Sequence, residues 1–417
     1  MRINVVVSTL CVALLCSSGA AVQADVSPVP SPSVSAVPSS APVAPIELAR
    51  SRVDTMLRTG HADPGWFSDA FLAQVSAAKI DEIIVTLKGS LGDYRSVRAT
   101  PAAFVAEFAK GTDDVLIHLD AESKIDALLF RQPHLTAASL EAALTALQRP
   151  SATLSYVLVA EGRSERAASN ASASLAVGSA FKLAVLEAIQ DEVARGRLRW
   201  TDVVPLKREW KSLPSGILRT WPDGTPLTVA TYAAEMISIS DNSAADALVR
   251  IAGASALRPY AGSNEPFLTT REMFTLKSTG AEALRSAYLN AASVGARSAV
   301  LRRADALPLP ALTSLATAPD AAVEWHYSVR QLCEAMRRVA DLPLMTINPG
   351  VADASRFRRV AYKGGSDAGI LNLTTMVTTT RGSHVCFSAT LNDSAHAVDK
   401  SSFEAAYGGV LDFIARM

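Results

Sequence analysis

Ser179 and Lys182 stand three residues apart in "GSAFKLAVLEAI", at the head of an almost wholly apolar run. Such a run predicts a buried helix, and lysine rarely enters a buried position without a partner. A serine hydroxyl becomes a useful nucleophile only when a neighbouring base takes its proton. Residues at i and i+3 share one helix face, so Lys182 can reach Ser179. Burial disfavours the ammonium form and lowers a lysine's pKa, which equips Lys182 to act as that base. Two further stretches carry polar residues in apolar settings: Ser240-Asp241-Asn242 in "MISISDNSAADALV", and Lys363-Gly364-Gly365 in "AYKGGSDAG". Singly, each has a plain structural explanation. Serine and aspartate cap helices, and Lys-Gly-Gly after a strand makes a turn.

Together and in this order, the three stretches resemble the S-x-x-K, S-D-N and K-T-G signature of class A β-lactamases and penicillin-binding proteins. The context "TPLTVATYAAEMISISDNSAAD" is similar as well, and the resemblance covers roughly residues 150–417. It implies an α+β fold: a β-lactamase/transpeptidase-like domain with an antiparallel sheet covered by helices, plus a helical lobe. It implies that Ser179, Lys182 and Ser240 are catalytic, and that Asn242, Lys363, Gly365 and Ser366 bind the substrate. The backbone N–H groups of Ser179 and Ser366 would form the oxyanion hole. The expected partner is a small molecule (a β-lactam, ester or amide), with no cofactor and no metal.

Two departures from the signature bear on activity. Gly364 stands where the family has Thr or Ser, which removes a hydroxyl that helps bind the substrate carboxylate. Class A enzymes also use E-x-x-L-N to activate the deacylating water. The L-N between the second and third stretches is Leu289-Asn290, and Ser286 precedes it where glutamate would be required. Glu265, Glu272 and Glu282 lie in the same long interval, and nothing in the sequence orients them toward the serine. These features predict a serine hydrolase with weak β-lactamase turnover. A penicillin-binding sensor, or a cell-wall peptidase that is acylated without releasing the product, is the alternative. No G-x-S-x-G stretch supports a Ser-His-Asp hydrolase.

The elements that must position these residues can be read in outline. "ATLSYVLVAEG" predicts a strand opening the larger domain. "RFRRVAYKGG", "GILNLTTMVTTTRG" and "SHVCFSATLND" predict strands near its end, followed by a last helix in "SSFEAAYGGVLDFIARM". The first strand returning to pair with the last ones gives the helix-covered sheet. Ahead of it, helical patterns ("IELARSRVDTMLRTG", "FSDAFLAQVSAAKIDEIIVTLKGSLG") precede four short, partly alternating runs ("DYRSVRAT", "AAFVAEFAKG", "DVLIHLDAES", "IDALLFRQP"). That order suggests a small α+β domain with an antiparallel meander and resembles the cystatin-like or nuclear-transport-factor-like folds. Placed before a lactamase-like domain, it resembles the two-domain serine hydrolases of the clavulanate-cluster type. The expected boundaries are 1–24 signal peptide, 25–45 Pro/Ser-rich linker, 46–134 small domain and 135–417 hydrolase domain.

The chain has 417 residues, 49% of them hydrophobic, with Lys+Arg and Asp+Glu both at 40. Zero net charge leaves no electrostatic footprint for nucleic acid. Met1-Arg2, the apolar stretch to Leu15 and the small-residue site ending at Ala24 read as an export signal, hence a periplasmic or secreted location. Lipid attachment at Cys16 is the less favoured alternative. The cysteines beyond the signal, Cys333 and Cys386, could pair outside the cytosol, but free buried thiols are the preferred expectation.

Overall fold

The computed structural model describes residues 45–100, 103–131, 133–160, 164–315 and 317–417. The expected signal peptide and all but the last residue of the expected linker lie outside these residues.

The amino-terminal part is built from helices followed by a meander. Helix α1 (Pro45–Thr59) buries Val53, Met56 and Leu57. The second helical run divides into α2 (Asp69–Leu72) and α3 (Ala77–Leu91), and Ser76 restarts the chain by accepting from the Lys79 N–H. On α3 the buried positions Ile80, Ile84, Leu87 and Leu91 follow the helical period and form one apolar stripe. The strands β1 (Tyr94–Ala99), β2 (Phe104–Phe108), β3 (Gly111–Leu119) and β4 (Ile125–Phe130) pair antiparallel in sequence order, and β5 (His134–Leu135) pairs with β3. Alternation is clearest on β2, whose Phe104, Ala106 and Phe108 face the helices.

The remainder begins with α4 (Leu140–Thr145), β6 (Thr153–Ala160), β7 (Ser164–Ser169) and the short β8 (Leu175–Ala176). Helix α5 (Lys182–Ala194) follows. A lobe then comprises β9 (Val203–Pro205), β10 (Pro226–Thr228), α6 (Val229–Ser238), α7 (Asn242–Leu257), α8 (Thr270–Leu276), α9 (Glu282–Leu289) and α10 (Val294–Asp305). The chain returns through β11 (His326–Tyr327) and α11 (Val329–Val339) to β12 (Phe357–Asp367), β13 (Ile370–Thr379), β14 (His384–Asn392) and the closing helix α12 (Lys400–Ile414). The main sheet is antiparallel, in the order β12-β13-β14-β6-β7. The opening strand therefore pairs with the closing ones, as the sequence predicts, and β12 is left as an edge.

The sheet has a core on each face. α5, α7 and α11 gather one with Ala361 of β12. α4 and α12 gather the other with Val360, Leu373 and Phe387. α12 also serves the amino-terminal part: its Ala405 lies in the core formed by α1, α3 and the meander, and Ser401 hydrogen-bonds Ser90 at 2.8 Å.

The free-thiol expectation is corrected by the packing of α11. Its buried stripe includes Cys333, which lands over Cys386 of β14 with the Cα atoms 5.9 Å apart, and the two form a disulfide. That separation lies within the range a disulfide spans, and a sequence separation of 53 hides the proximity from the sequence. Among the described residues no helix is long and apolar enough to cross a membrane.

Candidate active site

Ser179 sits in a 3₁₀ turn, Gly178–Phe181, and α5 starts only at Lys182. The tighter turn nearly eclipses residues three apart, so the expected contact forms: Lys182 Nζ is 3.2 Å from Ser179 Oγ. The turn is fixed from two sides. The Phe181 ring stacks on Trp325 with centroids 3.7 Å apart, and β8, just before the turn, pairs with β11, just after that tryptophan. On the other side runs β12. A Cβ on Gly365 would lie only 2.5 Å from the N atoms of Ser179 and Ala180. Only glycine allows this approach, which brings Ser366 alongside the serine turn.

The second stretch arrives on the loop between α6 and α7. Ser240 has φ of 57°, a left-handed conformation unusual for a non-glycine residue. Its neighbour Asp241 fixes that loop. The Asp241 carboxylate accepts from the N–H groups of Ile217 (2.6 Å) and Leu218 (2.8 Å) and caps α7 through Ala244 N–H (2.9 Å). Asn242 opens α7 and donates from Nδ2 to the Leu213 carbonyl.

Lys182 is fully buried, and its Nζ lies within hydrogen-bond reach of four oxygens: the Ser240 carbonyl and Asn242 Oδ1, both at 2.6 Å, Ser240 Oγ at 3.1 Å and Ser179 Oγ at 3.2 Å. The two shortest contacts are to oxygens that can only accept. A neutral amine can satisfy both with its two protons and keep its lone pair for a serine hydroxyl. Burial pushes the Lys182 pKa down to about 7, against the opposing pull of Asp241 and Asp246. Lys363 reaches Ser240 Oγ at 3.0 Å from the other side. Burial, with the charges of Lys182 and Lys400, holds it well below the usual lysine range. Ser240 Oγ thus bridges two buried amines.

Other buried groups brace this arrangement without touching Ser179, and the sequence reading did not single them out. Asp246 accepts from Thr270 N–H (2.6 Å) and Arg271 N–H (2.8 Å), tying α8 to α7, and its burial raises its pKa to about 7. Lys277 pairs with Glu324 (2.6 Å) and with Asp367 (2.7 Å), the residue following Ser366. This joins the end of α8, the segment carrying Trp325 and the end of β12.

The three glutamates of the long interval are engaged elsewhere. Glu265 pairs with Arg258. Glu272 completes the capping box of α8 and pairs with Arg250. Glu282 accepts from Gly280 N–H. The described residues contain no cluster of side chains able to hold a metal ion.

Comparison with known proteins follows the same line. Residues 138–305, which include the first two stretches, match the beta-lactamase enzyme family. No curated protein matches the chain. Among solved structures it is similar to a β-lactamase from Sphaerobacter thermophilus DSM 20745, at 19% identity over 66% of this chain and 95% of that one, with a TM-score of 0.47. It is also similar to PBP-A (13% identity, 68% of this chain and 99% of that one, TM-score 0.42). A third similar structure is a β-lactamase from Chitinophaga pinensis DSM 2588 (17% identity, 66% and 96%, TM-score 0.43). The family match over residues 138–305 supports a serine hydrolase of β-lactamase/transpeptidase-like fold.

Proposed function

We propose that the protein is an exported serine acyl hydrolase that forms an acyl-enzyme at Ser179 on β-lactams, esters or related amides, and that it releases β-lactam acyl groups slowly. The observation that carries this reading is the buried Lys182 amine between Ser179 and the Ser240–Asn242 turn. Neutral Lys182 takes the Ser179 proton as Oγ attacks the substrate carbonyl. The N–H groups of Ser179 and Ser366 receive the developing oxyanion. Ser240, between Lys182 and Lys363, passes a proton to the departing nitrogen or oxygen. Asn242 orients Lys182 and the substrate amide, and Lys363 supplies positive charge beside Ser240.

Hydrolysis of the acyl-enzyme requires a second base for water. Glu265, Glu272 and Glu282 are all committed to other partners, which supports slow release and favours, as the second reading, a sensor or peptidase that stays acylated. The Cys333–Cys386 disulfide suits the oxidising compartment that an export signal at 1–24 would lead to. Residues 46–134, with helices before a meander, are read as a cystatin-like module without catalytic residues.

Mass spectrometry after incubation with a fluorescent penicillin tests the proposal. The expected result is a single adduct on Ser179, absent in Ser179→Ala, that persists through repeated sampling. Labelling of Ser179→Ala at the wild-type rate would overturn the assignment.

A further inference from the structure

Gly364 lacks the hydroxyl that the third stretch of the signature would place at the mouth of the site, and the structure shows what fills that space. A Cβ built on Gly364 would fall onto the hydroxyl of Tyr362 and lie 3.0 Å from Cζ of its ring. The two residues are two apart on β12, so they share one face of the strand. The ring is held in place. A Cβ on Gly350 would lie 2.5 Å from three of its carbons, and the ring body packs against the core under α12. It therefore points along the strand toward the Gly364–Ser366 end, where β12 meets the Ser179 turn.

The Tyr362 hydroxyl is free for use. Tyr232, Tyr327 and Tyr407 each commit theirs to a protein oxygen, whereas that of Tyr362 has no hydrogen-bond partner among the described residues. Burial keeps the phenol protonated far above neutral pH, so it remains a donor. The charge of Lys400, at the start of α12, reaches the neighbouring Lys363. Glu404 is the acidic group acting on this ring, and it pairs with Lys400 at 3.6 Å.

We infer that Tyr362 is a specificity-determining residue whose hydroxyl takes the place of the one missing at Gly364 and donates to a carboxylate that the substrate carries beside its scissile carbonyl. The inference rests on the acyl-transfer reading above and narrows its substrates to acids. It also explains why glycine stands at 364, since a serine or threonine side chain and this tyrosine cannot share the space.

The test compares benzylpenicillin with its methyl ester as acylating agents of the full chain, using the second-order rate constant for adduct formation at Ser179. The wild type prefers the acid. Tyr362→Phe keeps the ring and its packing and lowers the acid-to-ester ratio by roughly 10- to 100-fold, the effect of one hydrogen bond to a charged group. Tyr362→Ala lowers it similarly, and adding Gly364→Thr to Tyr362→Ala restores part of the preference, which loss of packing alone would not allow. A ratio unchanged in Tyr362→Phe, or a wild type that does not favour the acid, overturns this inference and leaves the acyl-transfer reading standing. A wild type acylated by neither compound overturns both.

Discussion

If Lys182 is the base that activates Ser179, acylation must follow the titration of a buried amine. Burial moves its pKa from 10.5 to about 7. At pH 7 about half of the amine is then neutral, whereas an ordinary lysine would be neutral in roughly one molecule in 3,000. Burial alone therefore raises the supply of free base by about 10³-fold, within the roughly 10²–10⁴-fold usual for general-base catalysis. Stopped-flow acylation by an activated ester, read from about pH 5 to 9, should rise nearly tenfold per unit below pH 7 and level off above it. Lys182→Met should lose this dependence and acylate roughly 10²–10⁴-fold more slowly.

The same shift appears in stability. Below about pH 7 the folded and unfolded chains both hold the proton, and the fold bears the full cost of the buried ammonium. Between there and 10.5 only the unfolded chain holds it, so stability rises with pH, by up to about 1.4 kcal/mol per unit. Lys363, shifted in the same direction, adds to the slope. Urea midpoints for wild type and Lys182→Met should diverge across this window. A flat acylation profile, or wild-type acylation by a folded Lys182→Met, would refute the role assigned to Lys182.

Other consequences can be checked separately. Replacing Cys333 and Cys386 with alanine opens a loop whose ends are 53 residues apart, and chain entropy puts the loss at about 4 kcal/mol, read as a lower urea midpoint. Without a positioned base for water, deacylation carries about 3–5 kcal/mol of extra barrier; the benzylpenicilloyl adduct should accumulate while small esters turn over, and efficient steady-state hydrolysis without adduct would contradict this. Because α12 contributes to the cores on both sides, Ala405→Asp, which buries an unpaired charge at a cost of about 3–5 kcal/mol, should lower the unfolding of both parts in one transition seen by calorimetry. Separate transitions would show that the parts fold independently.

The clustering of Ser179, Lys182, Ser240 and Asn242 was legible because it depends on short local spacings. Ser179 and Lys182 lie within one turn, and Ser240 and Asn242 flank one helix start. What escaped the sequence depends on long-range packing. No local pattern says that Cys333 on a helix meets Cys386 on a strand, that Lys277 joins Glu324 and Asp367, or that Asp246 receives the start of α8. The meander and the order of the main sheet were readable from alternation and turns. The single expected helical run at 67–92 divides because Ser76 offers a cap. The sequence also showed that a hydroxyl was missing at Gly364, but only the fold places Tyr362 over it.

The backbone of Ser240 has a consequence for how this protein can change. A left-handed conformation costs a serine on the order of 1 kcal/mol that glycine would not incur. Glycine there would relax the chain and remove the hydroxyl between Lys182 and Lys363. If Ser240 passes the proton as proposed, selection for heat resistance alone would favour Ser240→Gly at the expense of reaction. Retention of serine at this position would then separate a lineage still under pressure to react from one kept only for its shape.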